Sequence, residues 1–157
     1  MKNRRLVATV ASACTLGLIV GLGTVAFVGS AGAMNTGNRK YVVTLTGPQE
    51  VPPNVGGVGT GTVKVKAKQS TVCVVFKKIS GIGAAIAAHI HEAAVGVDGP
   101  IVVPLATPVQ AGKFQKSKTC AVVSATLLAG LQNNPAGFYL NVHTGALPGG
   151  AIRGQVG

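Results

Sequence analysis

Apolar and polar residues alternate along much of the chain after residue 40, in runs short enough for β-strands. The clearest run covers residues 62–68, where Val63, Val65 and Ala67 share one side and three lysines share the other. Because successive side chains of a strand point to opposite faces, this period of two predicts a half-buried strand with a lysine row toward water. Such a row also protects an exposed strand against edge-to-edge pairing.

Further strand-like runs follow, separated by segments rich in glycine and proline that are typical of turns. The glycines of VGGVGTGT (55–62) are interpreted as turn residues with positive φ. One run differs, because Ser124 precedes good helix formers and Pro135 follows them, which predicts a short helix between the two. Short strands with one helix indicate a single antiparallel all-β domain, a sandwich or barrel. The predicted strands cover about 41–46, 62–68, 71–79, 85–93, 101–105, 118–125, 137–144 and 151–156.

The N-terminus has a different pattern and is predicted to lie outside the fold. Basic residues within 2–5 precede an uncharged stretch from Leu6 to about Val28, and Ala-Gly-Ala at 31–33 offers a cleavage site. This pattern predicts a signal peptide over 1–33, then a flexible lead-in over 34–40 and one domain over 41–157. The protein is therefore expected to be secreted or associated with the cell envelope. An uncleaved membrane anchor is the alternative, since roughly 20 apolar residues also span a bilayer.

Two cysteines, Cys73 and Cys120, lie in the predicted exported part of the chain. An even pair in an exported protein predicts a disulfide. The bond would close a loop of about 48 residues and stabilise the fold by about 4 kcal/mol in the chain-entropy model. Two buried free thiols are the alternative.

Basic residues outnumber acidic ones by fourteen to three, which gives a formal net charge of +11. Loss of the three cations of the signal peptide would leave +8. Such a surface attracts anionic envelope polymers or another protein, and it also keeps a protein soluble. Nucleic acid is not expected as a partner, because the few aromatic residues do not lie in basic stacking motifs.

All three histidines are predicted to lie on strand faces that point away from the core. His89 and His91 share one side of their strand, and His143 likewise alternates with the apolar residues of its own strand. The apolar residues expected to pack inward opposite the first two are Ile86, Ala88 and Ile90. If the imidazoles converge, they form the trigonal part of a copper or zinc site. The competing hypothesis is that they hydrogen-bond to loop backbone and hold the turn after the strand.

The nearby carboxylates are Glu92 and Asp98, which we expect to serve as outer ligands or as partners that orient the imidazoles. No catalytic residues are predicted, because the acidic residues are widely spaced and no nucleophile elbow or phosphate loop is present in the sequence. The residues therefore favour a non-enzymatic binding or structural module. A copper- or zinc-binding protein with a redox or metal-sequestering role is the alternative.

Three segments resemble, in order and spacing, the signatures of the CHRD domain, which is named from chordin and is widespread in exported bacterial proteins. They are VTLTGPQEVPP (43–53), AAHIHEAAVGVDGPIVVPL (87–105) and YLNVHTGALPGGAIRGQV (139–156). The resemblance implies an all-β, Ig-like or superoxide-dismutase-like sandwich, and it implies no settled activity.

Two residues depart from the pattern common in that family. Glu92 stands where a glycine is frequent, and Ala151 stands where an acidic residue is frequent. The alanine removes a possible partner of Arg153 and therefore argues against an ion pair of that side chain. The HIHE segment is also similar to the copper-ligand strand of Cu/Zn superoxide dismutases. Only His89 and His91 correspond to ligands there, so dismutase activity is not expected.

Overall fold

The computed structural model describes residues 36–105 and 117–157, which form eight antiparallel strands and one short α-helix. The antiparallel all-β prediction with a single helix is thereby confirmed. The predicted signal peptide, residues 1–33, lies outside the described residues. The elements are β1 (Arg39–Thr46), β2 (Val58–Lys66), β3 (Thr71–Ser80), β4 (Ala85–Glu92), β5 (Ile101–Leu105), β6 (Ser117–Val122), α1 (Ala125–Asn133), β7 (Phe138–Thr144) and β8 (Ile152–Gln155).

All eight strands belong to one sheet, in the order β5–β4–β7–β8–β1–β2–β3–β6. The terminal strands β5 and β6 also contact each other, so the sheet nearly closes into a barrel around its apolar face. The enclosed side chains are those that alternate inward along each strand, as the period of two predicts. The largest of them, all less than 2 % exposed, are Val43, Leu45, Val63, Val65, Val72, Val74, Phe76, Ile90, Val103, Leu140 and Ile152.

The prediction that Ile86 packs inward is wrong. The register between β4 and β7 shifts between Ala85 and Ala87, and such a bulge reverses the alternation beyond it. Ala85 is consequently buried, whereas the side chain of Ile86 is 53 % exposed. Ala88 and Ile90, which follow the bulge, face the core as predicted.

The interpretation that the glycines of residues 55–62 are turn residues with positive φ is wrong, because none of them has a positive φ. Gly59 and Gly61 lie within β2. These two glycines face the core, where they make room for larger side chains. A Cβ on Gly61 would lie 2.3 Å from Leu140 Cδ2, and one on Gly59 would lie 2.2 Å from Ile79 Cδ1. Strand β2 therefore begins earlier than the alternation indicates, because small residues here serve packing and not chain reversal.

The predicted helix is confirmed as α1, with Ser124 as its N-cap. The Ser124 hydroxyl accepts a hydrogen bond from the backbone N–H of Leu127 at 3.2 Å. The helix ends at Asn133, two residues before Pro135. Within the described part of the chain, no helix has the length and apolarity needed to cross a membrane.

The predicted disulfide is present between Cys73 on β3 and Cys120 on β6. The two residues are directly opposite each other in the register of these strands, so the bond ties the terminal strand β6 to its neighbour. Disulfides persist in oxidising compartments, and this bond indicates an extracellular protein.

Candidate metal centre

The outer face of β4, β7 and β8 is polar, yet most of it is buried. His89 pairs with Asn141, which pairs with Arg153 on the next strand, so three polar side chains form one row across the sheet. His91 and Tyr139 form the adjacent row. Loops after β1, β4 and β7 cover these rows, and each loop contributes a backbone carbonyl that accepts a hydrogen bond from a side chain of the face.

The structure brings the three predicted histidines together on this face. One ring nitrogen from each of His89, His91 and His143 lies within 4.8 Å of the others. His89 Nδ1 and His143 Nε2 lie 3.1 Å apart. The rings of His91 and His143 are buried, and that of His89 is partly exposed. The histidines therefore point away from the apolar interior, as predicted, while the loops shield them from solvent.

Backbone carbonyls set the tautomers of two imidazoles. His91 Nδ1 lies 2.9 Å from the carbonyl oxygen of Gly99, and His143 Nδ1 lies 3.0 Å from that of Pro148. A carbonyl can only accept, so both Nδ1 atoms carry the proton and both Nε2 atoms present a lone pair. His143 Nε2 accepts from His89 Nδ1. His91 Nε2 is buried and has no hydrogen-bond partner among the described residues.

Burial favours the neutral form of the His89 and His143 imidazoles. The pKa of His89 is lowered to about 4, chiefly by burial and to a lesser extent by the neighbouring His143 and His91 rings, because two adjacent imidazolium charges repel each other. Burial also lowers the pKa of His143, although the hydrogen bond to Pro148 opposes the shift. At neutral pH these two rings are therefore neutral imidazoles, in which one nitrogen carries a proton and the other has a lone pair that can bind a metal ion.

The role predicted for Glu92 and Asp98 is not seen in the structure. Glu92 is exposed, and the Asp98 carboxylate lies 2.8 Å from Arg153 Nη1. Neither carboxylate belongs to the histidine cluster. The carbonyls of Gly99 and Pro148 orient two of the imidazoles instead.

Arg153 has ion-pair partners despite the alanine at 151. Its guanidinium contacts Asp98 at 2.8 Å and lies 3.7 Å from Glu50 Oε2, and it also donates to the Gln49 carbonyl. The inference drawn from Ala151 is therefore wrong, because the partners come from two distant loops and not from the same strand.

A stack of three side chains connects Arg153 to the histidine cluster. The guanidinium lies 4.7 Å from the centre of the Tyr139 ring, and that ring stacks on His91 at 4.7 Å and 12° between planes. The Tyr139 hydroxyl accepts from the N–H of Gly99, whose carbonyl holds His91. Tyr139 thus fixes both the face of the imidazole and the loop that orients it. This stack was not predicted from the sequence, because the chemistry of each residue was considered separately. His91, Tyr139 and Arg153 nevertheless all lie in segments that resemble the CHRD signatures.

Glu50 joins the same network through Arg153 and Asn141. Burial raises its pKa to about 7, and Arg153 opposes that shift. Its Oε2 atom lies 3.5 Å from Asn141 Nδ2, whereas Oε1 is buried with no hydrogen-bond partner in the described regions.

The family profile of the CHRD domain matches residues 41–156, which include every residue of this network. The chain belongs to the CHRD domain family. The three CHRD signatures thus supply one connected polar cluster: the first contributes Glu50, the second His89, His91 and Asp98, and the third Tyr139, Asn141, His143 and Arg153. No curated protein and no solved structure matches the chain.

Proposed function

We propose that this CHRD domain is an exported, non-enzymatic binding module that holds one copper or zinc ion through His89, His91 and His143. The buried, unpartnered Nε2 atom of His91, close to two further imidazole nitrogens, carries the proposal. A buried acceptor without a partner costs about 1–3 kcal/mol, and coordination of a cation by its lone pair would remove that cost.

The donor set fits these metals. Imidazole nitrogens suit copper and zinc, with Zn–N distances of about 2.0–2.1 Å that place ligand nitrogens roughly 3–4 Å apart. His89 Nδ1 and His143 Nε2 already have such a separation, and His89 Nδ1 becomes a ligand when the proton of that ring moves to Nε2. The cluster needs to contract only modestly from 4.8 Å to enclose an ion. The Gly99 and Pro148 carbonyls supply the outer hydrogen bonds that metal-bound histidines commonly make. The competing hypothesis of loop bracing is thus compatible with metal binding.

The arrangement suits retention of an ion. His91 is buried under the loop that carries Gly99, and Tyr139 packs along its ring. With three protein ligands, a tetrahedral ion would keep one position for water or for an external group. The ion would link β4 to β7 together with their covering loops, which is a structural or metal-sequestering role.

Metal analysis of the purified exported protein tests the proposal. We expect about one equivalent of copper or zinc, or uptake of one equivalent by protein stripped with chelator. His89→Ala should abolish this binding, and His89 is the best position because it is the least buried of the three. Glu92→Gln is the matched control, since this neighbouring exposed carboxylate lies outside the cluster and its loss should leave the metal content unchanged.

Circular dichroism of both variants separates loss of metal from loss of fold. A folded wild-type protein that takes up neither ion, or a folded His89→Ala variant that binds as the wild type does, would contradict the proposal. The imidazoles would then serve only to brace the loops.

A further inference from the structure

A second polar surface lies on the outer face of β1, β2, β3 and β6. In the strand register Lys40 lies directly opposite Lys64, and Lys66 follows two residues along β2 on the same side. Lys77 on β3 and Lys118 on β6 also point outward, because their strand neighbours Phe76 and Thr119 are buried. We refer to these five lysines as the lysine face.

The positive charge of this face is not balanced by carboxylates. The chain has three acidic side chains, Glu50, Glu92 and Asp98, and they lie on β4 or in the loops of the metal centre. Within the described ranges, both ion pairs involve Arg153 and none involves a lysine. Neighbouring strands are roughly 4.8 Å apart and alternate residues of a strand roughly 6.7 Å apart, so Lys40, Lys64 and Lys66 form a closely spaced group. Lys77 and Lys118 lie farther along the same surface. Like charges directly opposite each other, as in the pair on β1 and β2, destabilise a sheet unless anions screen them.

A polar cleft of about 260 Å³ lies at the end of this face, next to the turn that follows β2. Lys66, Lys68, Asn38 and Gln69 line it, and they offer two ammonium groups and two side-chain amides. The side-chain oxygen Oδ1 of Asn38 accepts a hydrogen bond from the backbone N–H of Ala67. The side-chain NH2 group of Asn38 can therefore donate to a ligand in the cleft. These donors match an acidic group that also carries hydroxyls.

We propose that the lysine face and its cleft bind a linear acidic polysaccharide, with one acidic sugar seated in the cleft. The absence of arginine and aromatic side chains from the outward positions of these four strands disfavours nucleic acid, which is recognised by arginine forks and base stacking. The exposed apolar residues of the face are valines such as Val42 and Val122, and not the large aromatic or leucine side chains that insert at membrane interfaces. The face therefore offers closely paired ammonium groups, which suit carboxylates, and side-chain amides, which suit hydroxyl groups. An acidic polysaccharide carries both kinds of group.

Binding of the purified exported protein to alginate, a carboxylate polysaccharide, tests this proposal, with neutral dextran as the reference polymer. We expect binding to alginate alone, and we expect it to be lost as salt rises from about 0.1 M to about 1 M, where the Debye length falls from ~10 Å to ~3 Å. The variant Lys40→Gln/Lys64→Gln/Lys66→Gln/Lys118→Gln should bind alginate at least about tenfold more weakly. The matched variant with arginine at the same four positions should retain binding.

Three results would overturn the proposal. They are unchanged binding by the glutamine variant, equal binding to dextran, and preferential binding to duplex DNA or to vesicles containing phosphatidylglycerol. The His89→Ala variant should bind alginate as the wild type does, because the metal centre lies on other strands. Loss of the polysaccharide proposal would therefore not count against the proposed metal site. Loss of the metal-site proposal would likewise not count against polysaccharide binding.

Discussion

Glu50 is a buried carboxyl group in the loop after β1, where it faces Arg153 and Asn141. Its pKa is about 7 in the folded protein and 4.5 ordinarily, because burial penalises the charged form. Between these pH values the folded state binds a proton that the unfolded state has already lost, so this group makes the free energy of unfolding fall as pH rises from about 4.5 to about 7. The same carboxyl group makes no such contribution below pH 4.5.

Glu50→Gln should therefore remove this pH dependence. Relative to the wild type, the variant should gain stability as pH rises through the same range, by an amount on the order of 2 kcal/mol. Urea unfolding at several pH values measures the difference, in which the contributions of His89 and His143 cancel. Glu92→Gln, at an exposed position, is the control. A Glu50→Gln difference that stays constant from pH 4.5 to 7.5 would contradict the assignment.

Alternation along the strands predicted which face each histidine occupies, because the side-chain period of a strand is fixed by its geometry. It could not predict that loops bury that face, since the contacts of Gly99 and Pro148 depend on loop conformation. It also missed Tyr139 and Arg153, whose roles arise from register between strands far apart in sequence. A single extra residue in β4 was enough to turn Ile86 outward.

Strand β6 lies at one end of the sheet and pairs only with β3, just as β5 at the other end pairs only with β4. The disulfide crosses the pairing of β6 with β3, with Cys73 almost fully buried. Replacing both cysteines, as Cys73→Ala/Cys120→Ala, should lower the free energy of unfolding by about 2–4 kcal/mol, chiefly because the unfolded chain regains the entropy of an open loop.

Urea unfolding of the wild type and of the double variant measures this loss. The folded double variant should still bind metal as the wild type does, because the histidines lie on β4 and β7. A variant of unchanged stability would show that the strand pairing alone secures β6. The disulfide could be predicted from the sequence, because two cysteines follow a predicted signal peptide. The start of β2 could not, because a glycine there, Gly61, makes room for Leu140 and does not form a turn.

The sheet as a whole separates its charges. The strands β4 and β7 carry the histidine cluster, and together with β8 they lie beneath the loops that contain Glu50 and Asp98. The strands β1, β2, β3 and β6 carry the lysine face. The net charge of the sequence predicted an anionic partner but not the surface that would bind it. The strand register identifies that surface, because it places lysines from four strands on one face and leaves all three acidic side chains elsewhere.

Metal binding should stabilise the whole fold, because an ion held by β4 and β7 binds the folded state and not the separated strands. With free metal at about 100 times the dissociation constant, linkage gives about 2.7 kcal/mol. For a domain of this size that corresponds to a rise in Tm of about 10 °C. Differential scanning calorimetry of chelator-stripped protein, with and without copper or zinc, measures the shift.

The histidine variant decides how that shift is interpreted. Glu92→Gln should show the full rise in Tm, because its side chain lies outside the histidine cluster, and His89→Ala should show almost none. An equal rise in both variants would place the stabilising ion at some other group of the protein. The stabilisation should also be independent of the lysine-to-glutamine substitutions, since those residues lie on strands that carry no histidine.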